Sequence, residues 1–227
     1  MKSLSAIAKC IGVTASTLSI RHDFFGYRTT AVTRLSIGTQ VKFLTGRGRR
    51  HVHMNIIRVG SDQFSDADER EIDQAIKRTR DIFAPAAVGV GRIEYWDIST
   101  GDAAGRDVID NDAEAEALTN EWTTPNGDAM DIFFVRAYVS DTAGLSAVDG
   151  PCNKDAAGMD GCVVEMNAGG GVSDLALAHE AGHYLGLPHR EPDDGSALMN
   201  GTAPNSGGIN RDEAEIMSNH CFMRLSC

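Results

Sequence analysis

Hydrophobic positions along the chain recur with two periods. From His51 to Val59 apolar and β-branched residues alternate with polar ones, which predicts a strand. Ile72, Ala75, Ile76, Thr79 and Phe83 then recur at helical spacing. With Ser65 as N-cap and acids in the first turn, this predicts an amphipathic helix over 66–84 that ends before Pro85. Val88 to Ile98 reads as a strand, and Asp131 to Val139 as a buried one built on the Ile132-Phe133-Phe134-Val135 run. Between them, Asp112 to Trp122 is a short acidic helix or a loop. Cys162 to Met166 is a further short strand, followed by a flexible stretch to Val172. A second long helix is expected from Asp174, with Ser173 as its cap. Asn210, with Glu213 three residues on, caps a last helix over 211–219. No internal repeat is present. The order is strand, helix, three strands, helix, then a short tail with its own helix.

Composition adds an asymmetry to this order. The 227 residues carry a net charge of −11, which argues against nucleic acid as a main partner because phosphate binding needs a basic surface. Residues 1–58 nevertheless hold ten lysines and arginines against Asp23 alone, leaving the rest near −20. The basic, glycine-containing Thr45–Arg50 marks a boundary. Residues 1–50 are therefore read as a detachable basic segment: a signal or pro-segment that could lie over an acidic catalytic unit, or a solvated tail. Met1 to Ile20 weakly resembles a signal peptide, interrupted by Lys9. No apolar run reaches the ~18–20 residues needed to span a bilayer. The five cysteines, 10, 152, 162, 221 and 227, lack CxxC spacing. Two disulfides, Cys152–Cys162 and Cys221–Cys227, fit a secreted or periplasmic protein, although sequence does not fix the connectivity.

The chemistry is concentrated in His179-Glu180-Ala181-Gly182-His183-Tyr184-Leu185-Gly186-Leu187-Pro188-His189. Histidines four apart on a helix project from one face and can offer two nitrogens to zinc. Glu180, about 100° around the helix, can act as a general base without ligating the metal. Gly186 lets the helix end in a left-handed turn, and Pro188 stiffens the chain that returns His189 as third ligand. Three imidazoles plus one water make an open, catalytic zinc site. A bare HExxH recurs by accident, but Gly186 and His189 at fixed offsets reduce chance to on the order of 10⁻⁵.

This motif, with Ser196-Ala197-Leu198-Met199-Asn200 downstream, resembles the metzincins, whose HExxHxxGxxH is followed by a methionine turn. In look it is closest to matrixin-, pappalysin- and snapalysin-like bacterial enzymes. The resemblance covers about residues 51–227. It implies an α+β, zincin-like fold: a twisted, mixed five-stranded sheet with a backing helix and the active-site helix in an upper subdomain (51–189). A small C-terminal subdomain (190–227) with one helix follows. It also implies zinc held by His179, His183 and His189, Glu180 as catalytic base, and Gly186 and Met199 in support, Met199 as an apolar floor under the imidazoles. Cys162–Met166 would be the edge strand that pairs with an extended protein or peptide substrate. Arg190 after the third histidine is not typical of the better-known subfamilies. Gly201 stands where astacins and serralysins carry a tyrosine, so oxyanion stabilisation is left to the metal and backbone.

The expected function is a zinc metalloendopeptidase. The alternative is a catalytically idle zinc-binding module on the same scaffold, against which intact Glu180 argues. Cys10 could block the fourth zinc position from the N-terminal segment, or be an inert cysteine. His51 and His53, alternating on their strand, read as exposed residues, with a second zinc site as the other reading. Asp155, Asp160, Asp193 and Asp194 read as solvated loop acids, with calcium as the alternative.

Overall fold

The computed structural model describes residues 23–24, 27–29, 50–124, 127–139, 142–154, 158–166, 172–191, 197–201 and 207–225. Two short strands, β1 (Asp23–Phe24) and β2 (Tyr27–Thr29), precede β3 (Arg50–Val59). There follow α1 (Asp66–Phe83), β4 (Val88–Ile98), the single-turn α2 (Thr100–Ala103), β5 (Val108–Ile109) and α3 (Asp112–Glu121). The chain continues through β6 (Ala129–Val135), β7 (Ala137–Tyr138), β8 (Gly144–Ser146) and β9 (Cys162–Glu165) to the long helix α4 (Val172–Tyr184) and the last helix α5 (Arg211–Asn219).

Parallel strands β4, β3, β6 and β9 lie side by side, and β8 closes one edge antiparallel to β9. This is the expected mixed five-stranded sheet. On the opposite edge β2 pairs antiparallel with β4 (Arg28 with Asp97) and β1 with β2, so the described strands of the basic N-terminal segment lie across the sheet from β8. Cys10 and the remainder of that segment lie outside the described residues.

Both faces of the sheet are covered. Val52, Met54, Ile56, Ile132 and Phe134 pack under α1 and α4, while Ile57, Val59, Phe133 and Val135 pack under α3 and Trp122. Burial on both sides is why β6 reads as a continuous apolar run rather than an alternation. Helix α1 starts where its capping box forms, with Ser65 accepting from Ala67 and Asp68 and the Asp68 carboxylate accepting from Ser65 N–H. The Asn210–Glu213 box likewise starts α5.

Four expectations need correction. The Asp131–Val139 strand breaks at Arg136, whose N–H donates to Asp107 O (2.7 Å) and turns β7 away to pair with β5. Helix α4 begins at Val172, so Ser173 lies inside it rather than capping it. The strand expected at the edge, Cys162–Met166, is interior: β9 lies between β6 and β8, and the edge belongs to Gly144–Ser146. The cysteine pairing also differs.

Cys152 is joined to Cys221, 69 residues away, and Cys162 is a free thiol in the core. The pleat of β9 turns Cys162 inward, where its sulfur lies 3.7 Å from Met130 Sδ and 3.6 Å from Glu180 O. Cys152 sits on the outer loop that caps α4 and cannot reach it. The same loop is also held by Lys154, whose buried Nζ donates to Asp131 Oδ1 and Thr124 Oγ1, both at 2.6 Å. Closing a loop of this length removes unfolded-state entropy worth about 4 kcal/mol. Cys152→Ser is therefore expected to lower the free energy of unfolding by ~2–4 kcal/mol in urea titrations. A loss under about 0.5 kcal/mol would show that the bridge adds nothing to the loop's other anchors.

Candidate metal and catalytic site

The site is built on the last two turns of α4. His179 and His183, four residues apart, put their ring centroids 4.6 Å apart, and His189 comes within 4.6 Å of His183 and 5.4 Å of His179. One ligand atom from each of the three lies within 4.8 Å of the others, the only such group of three metal-binding side chains among the described residues.

Helix α4 has to end sharply for His189 to arrive. Leu187 N–H donates to Gly182 O (3.0 Å) and Gly186 N–H to His183 O (2.8 Å), a Schellman closure with Gly186 in the left-handed region at φ 102°. The side of Gly186 that a Cβ would fill lies 3.0 Å from Ile216 of α5, so this turn also seats the C-terminal helix. The carbonyls of His183 and Tyr184 are capped from outside by Asp149 and Gly150 N–H. Gly150 lies flat on the Tyr184 ring, whose single hydroxyl proton is shared between Pro151 O (3.0 Å) and Asp160 O (3.2 Å).

The imidazoles are oriented by main-chain carbonyls. His179 Nδ1 lies 2.7 Å from Leu198 O, and His183 Nδ1 lies 2.6 Å from Leu187 O. A carbonyl can only accept, so each Nδ1 carries the proton and each Nε2 keeps its lone pair. Burial holds both rings below the ordinary histidine range, His183 at about 4 with the neighbouring His179 adding to the effect. Neutral imidazole is the ligating form, and the donor set fits a zinc ion.

The segment read as a methionine turn is held by main-chain and side-chain hydrogen bonds. Ala197 N–H donates to Asn200 Oδ1 (2.7 Å), Leu198 N–H to Gly208 O and Arg190 N–H to Met199 O. Met199 is buried, with its sulfur 2.7 Å from where a Gly182 side chain would begin. Sequence reasoning passed over Gly182, although a glycine between two helical histidines, where propensity disfavours it, was the available signal. Glu180 is buried, and its carboxyl is pushed up to about 8 by desolvation.

The remaining candidate groups resolve differently. His51 and His53 are buried, not exposed, with ring centroids 4.9 Å apart. They fit because Gly91, at a bulge opposite His53, has no side chain: a Cβ there would lie 2.6 Å from both rings. Arg92 N–H donates to His53 Nδ1, and burial, then Arg92, holds His53 at about 4. Arg92 and Arg224 beside the pair disfavour a further cation. Unfolded, His53 titrates near 6.5 and binds the proton that the folded state refuses. Stability is therefore fully present above pH 6.5 and lost as pH falls towards about 4, by up to ~3 kcal/mol. Melting curves of wild type and His53→Gln from pH 7 to 4 measure it; parallel curves would rule it out. Asp160 is buried rather than solvated; Asp155, Asp193 and Asp194 lie outside the described residues.

A family model described as metallo-peptidase family M12B, reprolysin-like, matches residues 69–190, from the first turn of α1 to the residue after His189. The chain belongs to the reprolysin-like metallopeptidases. It is thus a metzincin-type zinc metallopeptidase. Metalloproteinase-II from Bacteroides fragilis aligns at 16% identity and a TM-score of 0.49, over 75% of this chain and 53% of that one. A chain from a chaperone–substrate complex aligns at 13% and 0.49, over 75% and 34%. This reprolysin-like chain therefore spans about half and a third of those two chains. No curated protein matches the chain.

Proposed function

We propose that the chain is a zinc-dependent endopeptidase, with His179, His183 and His189 holding the metal and Glu180 acting as general base. The observation that carries this reading is the convergence of three imidazoles, two of them locked by main-chain carbonyls, beside a buried carboxylate one residue from the first. When bound, zinc supplies Lewis acidity, acidifying water and polarising a carbonyl. The Glu180 carboxylate takes the proton of the attacking water and returns it to the leaving amine. Burial alone pushes this carboxyl up, and a bound cation beside it would favour the ionised form that acts as base.

Edge strand β8 suits an extended peptide. Glu165 N–H donates to Ala143 O, so that pair faces β9, and by alternation Gly144 and Ser146 turn their N–H and C=O groups outward. A substrate strand added there runs past Glu180. The Cys152–Cys221 bridge supports a secreted or periplasmic setting. Digesting a peptide library with zinc, with a chelator, and with zinc restored tests the proposal. Cleavage is expected in the first and third arms only. One bound zinc per chain without any cleavage would leave an idle metal-binding module.

A further inference from the structure

We propose that Gly144, on the edge strand, is a positioning residue for Glu180: its missing side chain is the seat into which the Glu180 side chain folds. A Cβ built on Gly144 would lie 2.8 Å from Glu180 Cγ, 3.1 Å from Cδ and 2.7 Å from Val163 O. Real Cβ atoms essentially never make the two contacts under 3.0 Å, and the third is tighter than most. Gly144 is not among the residues with positive φ, so the requirement is for space and not for backbone freedom. Glu180 has little freedom to shift as a whole. Glu180 is buried, and the Cys162 thiol, itself in contact with Ser146 Oγ, fills the space beneath its main-chain carbonyl.

Gly144 serves the site twice. Its main-chain groups face outward, where a peptide strand would pair, and its Cα supports the general base. A substrate in register on β8 is thereby in register with Glu180, which ties the choice of scissile bond to one backbone position. The kinetic consequence rests on the peptidase reading above, whereas the seat itself does not.

The test is a double-mutant cycle of Gly144→Ala and Glu180→Ala, read by melting temperature. Gly144→Ala alone is expected to lower the melting temperature by several degrees. In the Glu180→Ala background the loss should be no more than half as large, because the contact with Val163 O is common to both arms. A Gly144→Ala chain that fails to fold while the double variant folds supports the seat equally. Equal losses in the two backgrounds overturn it. In the kinetic arm, Gly144→Ala should keep one zinc per chain and lose ~10²-fold in kcat with KM little changed. An unchanged kcat also overturns the proposal. A wild type that binds zinc and cuts no peptide sinks the peptidase reading, and the thermal cycle then decides the seat by itself.

Discussion

Glu180→Gln is expected to reduce kcat by about 10³-fold while zinc stays at one per chain and the fold is unharmed. The amide has the shape of the acid, so it fills the same space over β8. It cannot accept the proton of the attacking water, and the general-base step is lost. Stability should not fall. Desolvation already pushes the Glu180 carboxyl up to about 8, so burial favours its neutral form, and the amide is neutral at every pH. Peptide hydrolysis, metal content and melting temperature, measured on one preparation, separate these outcomes. A Gln variant cutting at near wild-type rate would remove Glu180 from the mechanism.

His183→Ala should have the largest effect on the metal. Apparent zinc affinities in protein sites run to roughly 10–16 kcal/mol for four ligands, or about 3 kcal/mol for each, so one deletion is expected to weaken binding by ~10²-fold or more. Linkage makes this visible without any substrate. Zinc at a hundredfold excess over Kd stabilises the folded chain by about 2.7 kcal/mol, a gain that chelation removes from wild type and that the variant should scarcely show. Calorimetric titration gives the affinity directly. His183 is the instructive position because it bonds Leu187 O on one side and faces both other imidazoles on the other. Undiminished zinc affinity in His183→Ala would place the metal elsewhere.

What was legible in the sequence was local. The capping boxes at Ser65 and Asn210, the helical spacing of Ile72 to Phe83 and the metal motif each lie within about twenty residues, where periodicity and turn chemistry act. The edge strand was hidden because Gly144–Ser146 is too short to alternate. The Cys152–Cys221 pairing was hidden because Cys162 is nearer in sequence to Cys152 but faces the other way once β9 pleats. Arg136 gave no sign of ending its strand, since its partner Asp107 lies 29 residues back. The burial of His51 and His53 depends on Gly91 of the neighbouring strand. In the last three of these the deciding atom belongs to a distant part of the chain, which hydrophobic patterning does not encode.

The loop that caps the end of α4 has a consequence for the order of assembly. Asp149 and Gly150 satisfy the carbonyls of His183 and Tyr184, but the loop is itself held by His220, whose Nε2 bonds Gly150 O at 2.9 Å, and by Cys221. During synthesis the histidine motif leaves the ribosome some thirty residues ahead of those anchors, or about two to six seconds at ordinary elongation rates. Until the anchors emerge, the loop behind the turn that delivers His189 is held from Lys154 and Tyr184 alone among these contacts. The outer support of the histidine turn is thus completed last, by residues near 220.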